Sequence, residues 1–331
     1  MNPNKVMITG GAGFIGSHLT EALLQQGKEV YVFDCIPLDK VTNLKEVCAH
    51  PNLHYYLGDL TDKDSIKKFY QKDAGIIYHL ASVVGIKNYL ADPLKLIDVV
   101  VVGTRHLLEI ARENNTKFVY SSTSEVFGKN PHIPWDENSD RLLGPASIDR
   151  WSYSSSKAVC EHMLWGMHRQ CGLPFTIVRF FNVYGPKQNP YYVVSQTIYK
   201  ALRGESPLLY DDGTMTRCFT YIDDIVEGLL LIGASPKADG EDFNMGNYVE
   251  TTIREAVETI VKCAGTGVKI KYFDTKKEYG KVYEDIPRRV PKVAKVKELL
   301  GWQARIQLEE GINKTLEWSR NNNWWLADGR N

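Results

Sequence analysis

Tyr153 and Lys157 stand four residues apart in the run Trp151-Ser-Tyr-Ser-Ser-Ser-Lys157. On a helix, that spacing puts a phenol and an ammonium on one face, one turn apart. A free tyrosine titrates near pH ~10 and is a poor base at neutrality. An adjacent ammonium, with a positive nicotinamide ring, favours the phenolate and lowers that value. Upstream lies Ser121-Ser-Thr-Ser-Glu125, where Thr123 or Ser124 can hydrogen-bond a substrate hydroxyl. Near the N-terminus, Thr9-Gly-Gly-Ala-Gly-Phe-Ile-Gly16 follows an apolar strand and opens a helix. Gly10 lets the chain turn tightly, Gly13 lets backbone N–H groups approach a pyrophosphate, and Gly16 lets helix and strand pack closely. Each segment alone has a plainer reading: a surface Tyr and Lys, turn-forming hydroxyls, a bare strand-to-helix turn. In this order they describe a dinucleotide with a phenol beside it, equipment for oxidising an alcohol.

Asp34 ends the second strand, where its carboxylate can accept hydrogen bonds from an adenosine ribose. It would repel a 2′-phosphate, which favours NAD over NADP. Asp59, in Gly58-Asp-Leu60, is placed to touch adenine. An aspartate after a strand is also a common helix cap.

These residues need a scaffold, and the first half of the chain spells one out. Strands read at 6–9, 29–33, 53–57, 76–80, 117–121 and 175–181. Helices read at about 14–26, 62–71, 93–114 and 152–171. The alternation predicts an α/β fold, a Rossmann doubly wound parallel sheet covered on both faces. After Phe181, prolines and glycines punctuate shorter elements, which predicts a smaller C-terminal substrate-binding lobe. The division reads as a dinucleotide domain over 1–181 and a lobe over 182–331, with 218–232 and 243–246 free to return to the first domain. The tail Asn321-Asn-Asn-Trp-Trp325 reads as an irregular end.

The bulk numbers narrow the partners. Forty basic residues balance forty acidic ones, so no global charge draws the chain to nucleic acid or membrane. The six cysteines are dispersed and suit a reducing cytosol. Histidine spacing suggests no protein-held metal. No apolar run is long enough to span a bilayer, and the N-terminus leads straight into a strand, so a cytoplasmic location is expected.

At this point the chain resembles the extended short-chain dehydrogenase/reductases that act on nucleotide sugars, over nearly its whole length. The carriers are the glycine turn, Gly58-Asp-Leu60, His79-Leu-Ala81, Ser121–Gly128, Tyr153-x-x-x-Lys157 and Arg179-Phe-Phe-Asn-Val-Tyr-Gly-Pro186. Two more are Arg217-Cys-Phe-Thr-Tyr-Ile-Asp-Asp224 and Asp285-Ile-Pro-Arg-Arg-Val-Pro291. The resemblance implies NAD kept bound through a closed cycle, a UDP- or dTDP-sugar substrate, and usually a homodimer. It implies that Phe14, Ile15, Leu60, Leu80 and Ala81 line the dinucleotide beside the glycines. It also implies that Asn182, Arg217 and Arg289 hold the nucleotide diphosphate, for which planar guanidinium forks are suited. Arg288 reads as a solvated neighbour. For a homodimer, Leu107, Leu108, Met163 and Trp165 offer apolar surface beyond one buried stripe.

The reaction turns on Glu125. The shared step is oxidation of sugar C4, with Tyr153 taking the hydroxyl proton. A plain 4-epimerase then needs only to turn the keto sugar over, and such enzymes usually have small residues at Ser124-Glu125. Thr123-Ser-Glu125, Gly144-Pro145 with Arg150-Trp-Ser-Tyr153, and Tyr279-Gly-Lys281 leading to Arg289 are similar to enzymes that decarboxylate UDP-glucuronate. On that resemblance Arg289 grips the carboxylate or a phosphate, and Glu125 orders the sugar and helps manage the proton at C5. A plainer role for Glu125 is to brace the loop after its strand. Decarboxylases usually carry an arginine after the Gly-Pro of the Phe-Asn motif, whereas here Tyr192 stands roughly in its place. That segment is more similar to 4-epimerases. A 4,6-dehydratase would pair the glutamate with an aspartate, and here the neighbour is Ser124. UDP-glucuronate decarboxylation is therefore the leading expectation, with UDP-hexose or UDP-hexuronate 4-epimerisation next.

Overall fold

The computed structural model describes residues 2–85, 92–274 and 286–327. Seven strands form one sheet: β1 (Asn2–Thr9), β2 (Glu29–Asp34), β3 (Leu53–Leu57), β4 (Ala74–His79), β5 (Lys117–Thr123), β6 (Phe175–Phe180) and β7 (Glu241–Met245). Their order is 3-2-1-4-5-6-7 and every pairing is parallel. Strands such as Val30–Phe33 and Phe118–Tyr120 are buried throughout, as a sheet covered on both faces requires. The order reverses between β1 and β4, which opens a crevice at the carboxyl edge. Gly10, Asp34, Ala81 and Thr123 all sit on that edge.

One face of the sheet is covered by α2 (Lys63–Phe69), α3 (Gly103–Glu113) and α4 (Arg150–Cys171). The other is covered by α1 (Phe14–Gln25) and α5 (Ile222–Ala234), with Val296 and Trp302. The helical run expected over 93–114 is present but interrupted. Pro93–Ile97 passes through a π-helical turn, Asp98–Val102, before α3 begins. Leu107 and Leu108 are fully buried within this chain, and Met163 and Trp165 pack partly against the same core. These leucines are therefore spent on the chain's own interior, which corrects the expectation that they are surplus. The exposed apolar side chains on these helical segments are Leu94, Val102 and Val159.

The smaller lobe follows β6. Helices Val193–Leu202, Ile253–Ala264 and Leu308–Asn321 close around Ile198, Ile260, Leu316 and Trp325. A three-stranded sheet places Thr216–Cys218 between Glu250–Thr252 and Arg288–Arg289. The tail is not irregular. Leu308–Asn321 is followed by a short helix, Asn323–Ala327, and Trp325 is 1 % exposed. Its Nε1 donates to the Gln188 carbonyl at 3.0 Å. Tryptophan supplies enough apolar area and one donor to order a chain end that its asparagines alone would leave loose.

Candidate active site

The glycine turn behaves as its spacing predicts. Gly10 has φ +73°, and a Cβ there would lie 2.6 Å from the Ala81 amide nitrogen. A Cβ on Gly16 would overlap the Gly10 carbonyl and come within 2.8 Å of Gly11 Cα. Close helix–strand packing is thus a steric demand at Gly16. Gly13 precedes α1 and has more room, its added Cβ meeting only the Gly10 oxygen at 3.2 Å. Asp34 holds this turn: Oδ2 accepts from Ala12 N at 3.0 Å and Oδ1 from Ile36 N at 3.3 Å. Burial raises the carboxyl's pKa, and these backbone N–H groups oppose the rise. Asn43, which sequence reasoning passed over, donates from Nδ2 to the Ala12 carbonyl at 3.1 Å.

Other residues expected at the cofactor divide. Ala81 and Leu80 abut Gly10. Phe14 and Ile15 begin α1, but their side chains pack toward the lobe core. Leu60 is a core side chain, packed against Gly103, so only its backbone could face a ligand. Asp59 caps its own turn, accepting from Thr61 N and Oγ1 at 2.8 Å. It also borders a cleft of about 520 Å³ with Asp92, Lys95 and Val99. His79 is buried and structural. Its ring spans Thr9 Oγ1 (2.6 Å) and Thr104 Oγ1 (2.9 Å), and burial, then Lys157, pushes its pKa down to about 3.

α4 carries Tyr153 and Lys157 on its sheet-facing side, 8 % and 2 % exposed. The Tyr153 hydroxyl meets those of Ser82 and Thr123, both of which favour the phenolate. Burial outweighs them and, with Glu125 and Tyr192, pushes the phenol well above its ordinary value. Lys157 Nζ donates to the Ser121 carbonyl at 2.7 Å and lies 5.9 Å from the Tyr153 ring centre. Burial pushes this amine down to about 8. The sequence reading joins the ammonium to a positive nicotinamide ring, and within the protein itself burial dominates both groups. The amine is desolvated too, so a further positive group must offset the burial. A pyridinium ring beside Tyr153 fits that need.

The acidic and basic residues converge from distant sequence. Arg289 pairs in register with Arg217, so both side chains share one face of the small sheet, 8 % and 5 % exposed. Arg288 points the other way and binds Glu250 through two contacts of 2.7 Å. Glu125 follows Thr123, whose Oγ1 accepts from Glu125 N at 3.2 Å. Glu125 Oε1 accepts from Arg289 Nη1 at 3.1 Å and lies 3.5 Å from Arg150 Nη2. Ser124 is buried. Glu125 Oε2 and Asn182 Oδ1 are buried acceptors without a hydrogen-bond partner among the described residues. A ligand's donors could satisfy them. Asn182 has φ +35°, a strained setting of the kind that functional loops retain.

The loop after Glu125 brings Arg289 into place. Trp135 N donates to the Val290 carbonyl at 2.9 Å, and Lys292 N donates back to the Trp135 carbonyl at 2.7 Å. Gly144 lies so close to the Trp151 indole that a Cβ would overlap Nε1. That contact explains why Gly144-Pro145 and Arg150-Trp151 occur together. Tyr279, Lys281 and Asp285 of the expected motifs lie outside the described residues. Sequence reasoning missed Ser82 and the role of Arg150 as a partner of Glu125. Ser82 could have been found, because it directly follows the His79-Leu-Ala81 segment at the same sheet edge.

A doubly wound parallel sheet, a glycine turn braced by an aspartate, and a tyrosine–lysine pair on the helix after β5 define a short-chain dehydrogenase/reductase. Comparison with known proteins narrows the class. The family described as GDP-mannose 4,6 dehydratase matches residues 7–315. The UDP-N-acetyl-α-D-glucosaminuronate decarboxylase of Bacillus cytotoxicus is 37 % identical over 319 residues, covering 96 % of this chain and 98 % of that one. The UDP-glucuronic acid decarboxylase 6 of Arabidopsis thaliana is 35 % identical over 311 residues, covering 93 % and 86 %. The UDP-glucuronic acid 4-epimerase of Bacillus cereus, solved with UDP-glucuronic acid and NAD, superposes with a TM-score of 0.82 at 25 % identity, covering 96 % and 99 %. The chain belongs to this extended family of nucleotide-sugar epimerases, dehydratases and decarboxylases, and it is an NAD-using enzyme of that kind.

Proposed function

We propose that this enzyme decarboxylates UDP-glucuronate. The observation that carries the reading is the Glu125–Arg289 pair, 3.1 Å apart and joined by Arg150, beside the Tyr153 site. A reaction confined to C4 needs only to turn the keto sugar over, whereas one that changes C5 and C6 uses charged groups placed like these. NAD, when bound, would supply the hydride acceptor for C4 and, if the cycle closes, the hydride donor. Gly10, Gly13, Gly16 and Asp34 would hold it, with Leu80, Ala81 and the backbone of Phe14, Ile15 and Leu60 around it.

Tyr153 would accept the 4-hydroxyl proton while Thr123 fixes that oxygen and Lys157 holds the phenolate. The C4 ketone then makes the substrate a β-keto acid. The C5–C6 bond breaks, carbon dioxide leaves, and the electron pair moves to the C4 oxygen, where Tyr153 can return a proton. Ser124 and Glu125 would order the sugar, and Glu125 would manage the proton that C5 regains. Arg289 would hold a carboxylate or phosphate oxygen, with Arg217 and Asn182 on the diphosphate.

A second reading, 4-epimerisation of a UDP-hexuronate or UDP-hexose, is favoured by Tyr192. It faces Glu125 and Tyr153 where an arginine would suit a decarboxylase. Product mass separates the two. With UDP-glucuronate, decarboxylation yields a UDP-pentose or UDP-4-keto-pentose lighter by one carbon dioxide. An isomer of unchanged mass supports epimerisation and rejects the first reading. UDP-glucose, UDP-N-acetylglucosamine and dTDP-glucose complete the panel.

We assign residues 1–181 to the dinucleotide and 182–331 to the sugar nucleotide, with β7 returned to the main sheet. Exposed Leu94, Val102 and Val159 support a homodimer, and a monomer by light scattering at micromolar concentration would refute it. A cytoplasmic site is supported by six free cysteines. Among the described residues no helix is long and apolar enough to cross a membrane.

A further inference from the structure

Lys157 is almost wholly buried. Among the described residues its Nζ donates to the Ser121 carbonyl at 2.7 Å, and the residue is 2 % exposed. The same strand offers a second resource. The ring of Tyr120, the preceding residue of β5, sits under the amine with its centre 4.8 Å from Nζ, closer than the Tyr153 ring at 5.9 Å. Tyr120 is fully buried, and its hydroxyl lies beside Cys160 rather than in the ligand crevice. Such a tyrosine cannot touch substrate. The packing need alone would be met by any large apolar side chain.

We propose that Tyr120 is a positioning residue whose ring face replaces the lost water of Lys157 and keeps that amine charged beside Tyr153. The physical basis is the attraction between a cation and an aromatic quadrupole, which grows when both are desolvated. The other groups around the amine are few. On its own helix Cys160 and Glu161 favour the charge, and from β4 the neutral, buried His79 faces it. Glu161 is itself committed to Arg179 at 2.7 Å and to Ser122 at 2.5 Å. Tyr120 is therefore the group on β5, besides one carbonyl, that offsets the burial of Lys157. The inference rests on the reading that Tyr153 and Lys157 work together at C4.

The test uses the full-length enzyme and two readouts. The first is the alkaline limb of kcat/KM against pH, followed as disappearance of UDP-glucuronate whichever product forms. The second is a [13C]lysine NMR titration of the purified protein, with the Lys157 signal assigned from Lys157→Met. Tyr120→Phe keeps the ring, and both the limb and the titration should stay where they are. Tyr120→Leu removes it, and both should move down by about one pH unit. Should the leucine variant fail to fold, phenylalanine carrying one, two or three ring fluorines at position 120 keeps the shape and weakens the quadrupole stepwise. A graded downward shift supports the proposal. A titration of Lys157 unmoved across the fluorinated series overturns it. Tyr153→Phe is the control for the underlying reading: retention of full turnover there would reject the Tyr153 chemistry without bearing on the NMR result.

Discussion

Gly16→Ala and Gly13→Ala should separate the two duties proposed for the glycine turn, helix–strand packing at Gly16 and approach to a pyrophosphate at Gly13. At position 16 an added methyl would overlap the Gly10 carbonyl oxygen, and it would sit 2.8 Å from both Gly10 C and Gly11 Cα. All three atoms are backbone, so no flexible side-chain end can yield. An ordinary carbon contact needs about 3.5 Å or more. The first turn of α1 would have to withdraw from β1 by the better part of an ångström, disturbing the packing of Leu19 and Leu23. Overpacking of this kind costs about 1–3 kcal/mol, a drop of a few degrees in Tm for a chain of this size. At position 13 the added methyl meets only the Gly10 oxygen, at 3.2 Å, a strain that a few tenths of an ångström relieve. Gly13→Ala should therefore melt near the parent protein yet hold NAD poorly, because the methyl occupies the approach to the pyrophosphate. Thermal melts and the NAD released on denaturing the purified protein measure both. If Gly13→Ala keeps its full NAD, or loses as much Tm as Gly16→Ala, the assignment of the two glycines is wrong.

Two further outcomes are expected. Tyr153→Phe should lower turnover by a factor of about 10² or more while the protein still carries NAD; near-normal turnover would remove the phenol from the chemistry. His79 should make the protein acid-sensitive. Its folded pKa is depressed to about 3 by burial, below the ordinary value near ~6.5. The folded state therefore binds fewer protons than the unfolded state between those values, and stability should fall as pH drops below about 6.5. Urea unfolding near neutrality and near pH ~4.5 tests this, and His79→Gln should show a shallower fall; equal slopes in the two proteins would count against it.

The sheet was legible because its strands are continuous apolar runs separated by turn residues and amphipathic helices. β1 to β6 lie within a few residues of their expected positions. The geometry of the glycine turn, Asp34 and the Tyr153/Lys157 face was legible because it depends on local spacing. The Glu125–Arg289 contact spans 164 residues. It depends on Trp135 binding the 290–292 backbone, which no local pattern encodes. The burial of Lys157, which makes a second positive group beside Tyr153 necessary, depends on side chains from β4, β5 and α4 at once. Leu107 and Leu108 looked surplus because a helix stripe shows which residues are apolar, not how much core they must fill. The tail was not legible because its order depends on the burial of Trp325 against a distant part of the lobe and on its bond to the Gln188 carbonyl.

β7 reaches the main sheet only after the chain has built part of the lobe, and it lies alongside β6 from Thr176 to Phe180. A fragment ended at Phe181 would therefore leave β6 as a naked edge, with its backbone N–H and C=O groups open to another copy. The buried Arg179 would also lose Asp242, which it contacts at 2.9 Å. Such a truncated fragment should aggregate rather than persist as a free-standing dinucleotide binder.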